Sequence, residues 1–397
     1  MVKLRDALKS YDYFMALAVI VIGVFGVIMI FAFGNAPATP VQVNRQFGDA
    51  WVRQLAYIIS GAVLMVAISC IDYRYITKFY IYIYGFMMSF LIVVMLIGAD
   101  DATGVARWIW VPIPGIGRVS MQPSEFSKLF MILFLAKFLD INKERFNKVW
   151  CLGLVLILIA VPVFLVLLQP SLSASLVILS LSLTILFVAG LYWRTIIIGL
   201  GILTPVGVLA WLDMMRAEPL FLTRLLGNFQ WVRIETWRNS VFGMGEVLGT
   251  DQFRQTQQSL YSISAGGITG RGFLNNSHVI HGHNDFIFSI VAEQFGFVGA
   301  AILLAAIAFV IVRCILIALR AADMQGRLIA AGVAGMLIFE TFVHVSVTTN
   351  FLPNTGMPFP FLSFGGSMIW VHMMAMGMVL NVGLPRTKGF FEDEKDF

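Results

Sequence analysis

The stretch His278–Gly299, HVIHGHNDFIFSIVAEQFGFVG, opens as a polar loop of His, Asn and Gly and then enters apolar sequence that continues to about residue 319. One carboxylate, Asp285, stands at the border between the two. An ionisable group where water meets hydrocarbon is costly unless it has a task, so an acid there marks a candidate functional site. The apolar run behind it is long enough to cross a bilayer as a helix.

Outward from this stretch the same pattern repeats. The 397 residues are 59% hydrophobic and only 12% charged, with repeated apolar runs of about 17–25 residues. This excludes a soluble two-domain protein and predicts an all-α polytopic membrane protein, a single membrane domain over residues 1–397. Ten spans are expected, near residues 14–33, 54–71, 80–98, 123–140, 151–168, 172–192, 195–212, 286–319, 328–348 and 366–384. No cleavable signal is expected, because Met1 to Asp12 is polar and basic and the first apolar run is long enough to span. Cys70, Cys151 and Cys314 have no CxxC spacing and read as packing residues, not as a disulfide framework or zinc site.

Basic residues orient the chain, since short loops rich in Lys and Arg stay in the cytoplasm. Lys3, Arg5 and Lys9 precede the first span, Arg74 and Lys78 follow the second, Lys143, Arg145 and Lys148 follow the fourth, and Arg313, Arg320 and Arg327 surround the end of the eighth. Both termini, including the tail 385–397, are therefore expected in the cytoplasm, with all three cysteines toward that side. Three larger loops face outward: Gly34–Arg53, 99–122 and 213–284, the last between spans seven and eight. In it Trp231, Arg233, Trp237 and Arg238 alternate, as expected of helices in the interface with aromatic anchors and headgroup-binding guanidinium groups.

Several residues beside the spans carry chemistry. Gln122-Pro123-Ser124-Glu125 is a sound helix start, and Lys128 lies one turn beyond Glu125 on the same face. The two read either as a self-neutralised pair or as the lining of a polar cavity. Glu340 and His344, four apart, read as a buried polar pair. Glycines in SAGGITGRGF do not form a nucleotide loop, since no strand precedes them; a close approach of backbones near a lipid headgroup is the more economical reading. His278, His281 and His283 make only a weak HxxHxH metal motif, and no metal site is assigned.

GVARW, QPSEFSK, the break at Gln169-Pro170, QQSLYSISAGGITGRGF, HNDFIFSIVAEQFGFVG and NTGMPFPFLSFGGS occur in this order from about Tyr13 to Leu384. Together they resemble the SEDS family of shape, elongation, division and sporulation proteins. The resemblance implies a peptidoglycan glycosyltransferase that polymerises lipid II on the outer face of the bacterial cytoplasmic membrane, in elongation, division or sporulation. It also implies a class B penicillin-binding protein as partner, and no nucleic acid. In such chemistry a sugar hydroxyl displaces a lipid diphosphate, which needs a base and nearby cations. Asp285 matches the family's essential acid and is the expected general base, a helix N-cap being its structural alternative. Trp108 matches a tryptophan the family keeps in the same loop, and suits either a sugar platform or the interfacial aromatic belt. Arg107, Arg233 and Arg271 are candidates for the diphosphate, and Gln122, Glu125 and Lys128 for the cavity wall. A divalent cation such as Mg2+ would help neutralise the diphosphate, but no dedicated carboxylate cluster is visible for one.

The chain departs from the family where QPDLG is usual: Gln169-Pro170-Ser171-Leu172-Ser173 lacks both the Asp and the Gly. Asn284 replaces a common Thr, and Gln294 replaces the second acid of AEE. Two other classes stay open. A lipid II flippase would use the same polar residues, although no repeated halves are evident. A catalytically weak scaffold for a penicillin-binding protein would fit the loss of the acid at Ser171.

Overall fold

Long apolar sequence satisfies its backbone in lipid by forming helices, and helices stand on all the stretches that hydropathy marks. The structure, a computed structural model, describes residues 11–35, 49–100, 106–113, 117–169, 171–216, 220, 222–225, 228–243, 251–275 and 282–384. Most of the first loop, Pro170, His278, His281 and the tail 385–397 lie outside them. In chain order come α1 (Tyr13–Asn35), α2 (Ala50–Cys70), the one-turn α3 (Tyr73–Thr77) and α4 (Tyr80–Ile97). After a small sheet follow α5 (Pro123–Ile141), α6 (Val149–Leu168), α7 (Leu172–Val188) and α8 (Trp193–Met214). The long loop holds α9 (Leu222–Leu225), α10 (Asn228–Phe242) and α11 (Asp251–Gly266), and α12 (Ile287–Arg320), α13 (Met324–Thr348) and α14 (Gly366–Val382) complete the chain.

Among the described residues, α1, α2, α6, α8, α12 and α13 are long and apolar enough to cross a membrane, and α4, α7 and α14 are shorter apolar helices. The protein is thus a polytopic, predominantly helical membrane protein. α5 falls in neither group because it carries Glu125, Lys128, Lys137 and Asp140, yet Glu125 and Lys128 are buried with most of its apolar residues. α13 is buried along most of its length and packs on α12, α7, α5 and α14, while α2 packs on α14. α8 is the opposite case. Trp193 to Leu212 is exposed or half-exposed, and only Asp213 and Met214 at its end are buried.

Two expectations need correction. The chain is not purely α, because the 99–122 loop carries a small sheet: β1 (Ala99–Asp100), β2 (Ala106–Ile113) and β3 (Gly117–Met121) pair antiparallel in the order β1-β2-β3. Ala99 pairs with Trp108, and Ile109 with Met121. The segment ARWIWVPI is aromatic and β-branched, and such residues suit a pleated strand better than a loop. The eighth expected span is also not one straight helix, because Gly296 adopts a non-helical φ of 65° and kinks α12 there.

Polar side chains gather at the end of the bundle where the sequence places the cytoplasmic loops. Arg313 pairs with Asp12 at 2.6 Å, and Asn381 donates to the Ser69 carbonyl at 2.7 Å. Tyr73 and Arg74 both bond Asp323, at 2.7 Å each. Gln325 donates to Thr77. These contacts tie α1, α2, α3, α12, α13 and α14 together away from the long loop.

Candidate active site

Asp285 stands in the turn 282–286 that leads into α12. The helix's N-cap position is Phe286, not Asp285. What places the carboxylate is the segment between α13 and α14, NTGMPFPFLSFGG. Ser363 donates from its hydroxyl to the Asn284 carbonyl at 2.7 Å, and the Phe364 N–H donates to the His283 carbonyl at 3.0 Å. His283 itself is buried between Phe33 and Phe364. From the other side, His344 donates through Nδ1 to the Met357 carbonyl at 2.7 Å, which leaves Nε2 to accept from the Phe288 N–H at 3.5 Å. The turn bearing Asp285 is therefore held on two sides by one segment. The buried pair expected between Glu340 and His344 is not formed; His344 braces this segment instead.

Gly356 is the point of closest approach. Its φ of +68° is a backbone conformation that favours glycine. A Cβ there would lie 3.3 Å from Asp285 Oδ2 and 3.4 Å from Arg233 Nη1. The candidate base and one candidate cation, far apart in sequence, thus come close to the same glycine. Arg233 Nη1 also donates to the Asn354 carbonyl at 3.3 Å. Arg233 and Asn354 line two small clefts, one with Leu172 and Gln230, the other with Trp237 and Phe253.

Two of the alternating Trp and Arg side chains of α10, Trp237 and Arg238, turn into the fold instead of toward lipid headgroups. Arg238 is buried and donates to the carbonyls of Met214 and Arg216 at 3.0 and 3.1 Å. Trp237 Nε1 donates to the Asn350 carbonyl at 3.2 Å. These side chains fasten α10 to the end of α8 and to the α13–α14 segment, because unpaired backbone carbonyls at helix ends accept well from guanidinium and indole N–H groups.

The glycines of SAGGITGRGF do mark a close approach, and its partner is the kinked part of α12. Arg271 and Gly272 N–H groups donate to the carbonyls of Glu293 and Gln294, and Phe297 and Val298 return bonds to Gly267 and Ile268. Cβ atoms on Gly266 and Gly270 would stand 2.0 and 2.2 Å from backbone oxygens of Ala292 and Gln294. Arg271 also meets Glu293 at 3.1 Å, with the carboxylate fully buried. Arg271 is therefore tied to α12 through both backbone and side chain.

Glu125 and Lys128 form a buried cluster and not an open wall. Lys128 is only 1% exposed, and its Nζ lies 2.7 Å from Glu125 Oε2 and 2.8 Å from Glu340 Oε1. The other Glu340 oxygen meets His372 Nε2 at 2.5 Å, and His372 Nδ1 meets the Met368 carbonyl. Both readings of the Glu125–Lys128 pair were incomplete, since α13 and α14 supply a second acid and a histidine. Gln122 caps no helix with its side chain. Its N–H donates to Ser367 on α14, which in turn donates to the Ser120 carbonyl of β3. That ties the sheet carrying the half-buried Trp108 to the start of α14. Arg107 lies on β2, and its side chain is outside the described residues.

A sequence profile described as Cell cycle protein, for FtsW, RodA and SpoVE, matches residues 12–388. The chain belongs to the FtsW/RodA/SpoVE family. Stage V sporulation protein E of Bacillus subtilis is 29% identical, over 94% of this chain and 97% of that one. Peptidoglycan glycosyltransferase MrdB of Escherichia coli K12 is 30% identical, over 83% and 84%. Among solved structures, one titled as showing the coordination of polymerization and crosslinking by a peptidoglycan synthase complex superposes with a TM-score of 0.72 at 28% identity, covering 94% of this chain and 97% of that chain. RodA of Thermus thermophilus superposes with a TM-score of 0.64 at 25% identity, over 94% and 96%.

Against the FtsW/RodA/SpoVE pattern, the departures have definite places. Ser171, where the family has an acid, is buried at the N-cap of α7, and Leu172 beside it lines a cleft with Arg233. Gln294 is buried next to the kink, and neither amide atom finds a partner among the described residues. Asn354 and Gly356 belong to the NTGMPFPFLSFGGS motif, yet neither stands out in the sequence as a site residue. The signal was the glycine, a residue type that marks a close backbone approach.

Proposed function

We propose that this chain, a member of a family of peptidoglycan glycosyltransferases, polymerises lipid II into glycan strands at the outer face of the bacterial cytoplasmic membrane. Ten helices, α1, α2, α4 to α8 and α12 to α14, cross the bilayer with both termini inside, and the long loop with α9 to α11 lies outside. Asp285 acts as general base on the acceptor sugar hydroxyl while that oxygen attacks the anomeric carbon of the donor. Arg233 stabilises the negative charge that develops on the departing lipid diphosphate, because a guanidinium binds phosphate oxygens in a fork. The observation that carries this reading is the approach of both Asp285 and Arg233 to the point where a Cβ on Gly356 would stand. Arg271 and Arg107 stand further candidates for the diphosphate, and Trp108 for a sugar face.

A class B penicillin-binding protein is the proposed partner, supported by the likeness to a chain of a peptidoglycan synthase complex. A divalent cation such as Mg2+ would help neutralise the diphosphate; among the described residues no three His, Cys, Asp or Glu side chains converge to hold one. The buried cluster around Lys128 is what would favour a lipid transporter. Its charges, however, are satisfied by one another and not aimed at a path. The test is glycan synthesis from purified lipid II by the protein with a class B penicillin-binding protein, beside a flipping assay in vesicles. Strands resolved by gel electrophoresis support the polymerase; flipping without strands overturns it.

A further inference from the structure

We propose that Asn354 is a positioning residue for the reaction, holding Arg233 and the Gly356 turn in register with Asp285. The proposal rests on the polymerase reading above and adds to it a residue that reading does not use. Asn354 is buried in the segment between α13 and α14. It makes three bonds to three different parts of the fold. Its Oδ1 accepts the Gly356 N–H at 3.0 Å, two residues on, in an Asx turn. The amide orientation follows from that bond, since an N–H donor requires the oxygen, and so Nδ2 faces outward. Nδ2 donates to Gln255 Oε1 of α11 at 3.2 Å. The Asn354 carbonyl accepts from Arg233 Nη1 of α10 at 3.3 Å.

One residue therefore couples α10, α11 and the glycine whose Cβ position both Asp285 and Arg233 approach. The far end of the same segment is fastened to the Asp285 turn through Ser363 and Phe364. Asn354 is the fastening at the near end. Without its side chain, Gly356 loses the bond that shapes its left-handed turn, and the carbonyl that holds Arg233 loses its orientation. A displacement of about 1 Å between a reacting group and its charge partner costs on the order of 100-fold in rate. Lipid and peptide parts of the substrate, bound elsewhere, would feel such a displacement much less. The effect is thus expected on turnover more than on KM.

The experiment is steady-state polymerisation of lipid II by the full chain with its class B penicillin-binding protein, comparing wild type with Asn354→Ala, Gln255→Met, Gln255→Glu and Asn354→Ala/Gln255→Met. Asn354→Ala is expected to lower kcat about 30-fold with KM changed less than about threefold. Gln255→Glu keeps an oxygen acceptor for Nδ2 and is expected to stay within about threefold of wild type, whereas Gln255→Met lowers kcat about fivefold. The double variant is expected to be no worse than Asn354→Ala alone, because both changes break the same tie. Normal kcat in Asn354→Ala overturns the proposal, as do losses in the two single variants that multiply in the double. If Asn354→Ala does not fold, the Gln255 pair decides: equal activity of Gln255→Met and Gln255→Glu overturns it. An inactive wild type overturns the polymerase reading and this one with it, while an active wild type with a normal Asn354→Ala removes only this one.

Discussion

Replacing Lys128 by Met leaves two carboxylates, Glu125 and Glu340, facing each other inside the bundle. Lys128 is 1% exposed and makes hydrogen-bonded ion pairs of 2.7 and 2.8 Å with them. Glu340 keeps its contact with His372, so the loss falls mainly on Glu125; breaking a buried pair by deleting one partner costs about 3–5 kcal/mol, because the remaining charge is left uncompensated. Met fills the volume of the lysine stem, so little of this loss comes from a cavity. About 4 kcal/mol corresponds to a fall of roughly 5 °C in melting midpoint for a chain of this size. The assay is the fraction of detergent-solubilised protein that stays monodisperse after heating, read by size-exclusion chromatography. Adding Glu125→Gln and Glu340→Gln to Lys128→Met removes the orphaned charges and should recover at least half of the loss, since neutral replacement of a whole buried ion cluster is often tolerated. A Lys128→Met protein that melts with wild type, or a triple variant that melts no higher than the single one, would refute this account of the cluster.

Two further substitutions probe other parts of the scaffold. Gly270→Ala puts a Cβ 2.2 Å from the Gln294 carbonyl oxygen at a φ of +85°, so a loss of about 3 kcal/mol or more is expected in the same melting assay. Gly199→Ala, with open space around it, should melt with wild type. Burial opposes ionisation of Asp323, but the Gly326 N–H, the Tyr73 hydroxyl and Arg74 outweigh it and hold the carboxyl below its usual range. The folded value lies under the unfolded one near ~3.9, so this stabilisation is fully present above about pH 5 and fades as pH falls through the folded value. Asp323→Asn keeps a capping oxygen but loses the charge and should therefore cost about 1 kcal/mol at pH 7, with the gap to wild type narrowing below pH 4; an equal gap at both pH values would contradict the assignment.

Hydropathy made the helices legible, and Pro123 with Glu125 in the first turn revealed α5 in spite of its charges. The sheet was hidden because Gly and Pro density drew attention away from the β-branched and aromatic run at residues 106–113. Local spacing exposed Glu125 as a partner of Lys128, three residues away. It could not expose Glu340, 212 residues on, since nothing in a sequence period links α5 to α13. Asp285 and Arg233 were each readable by residue type and loop position. Their meeting at Gly356 was not, because it depends on how the α13–α14 segment folds back on the turn 282–286. The glycines near residue 270 announced a close approach, but the kink in α12 that receives them lies inside an apolar run that reads as one helix.

The measurement that bears most directly on the central claim is glycan polymerisation from lipid II by the purified protein with a class B penicillin-binding protein, comparing wild type with Asp285→Asn. Asn keeps the shape of the side chain and removes its basicity, so folding and partner binding should persist. Wild type is expected to make strands, and the variant to lose about 100-fold or more in rate. Normal strand synthesis by Asp285→Asn would contradict it.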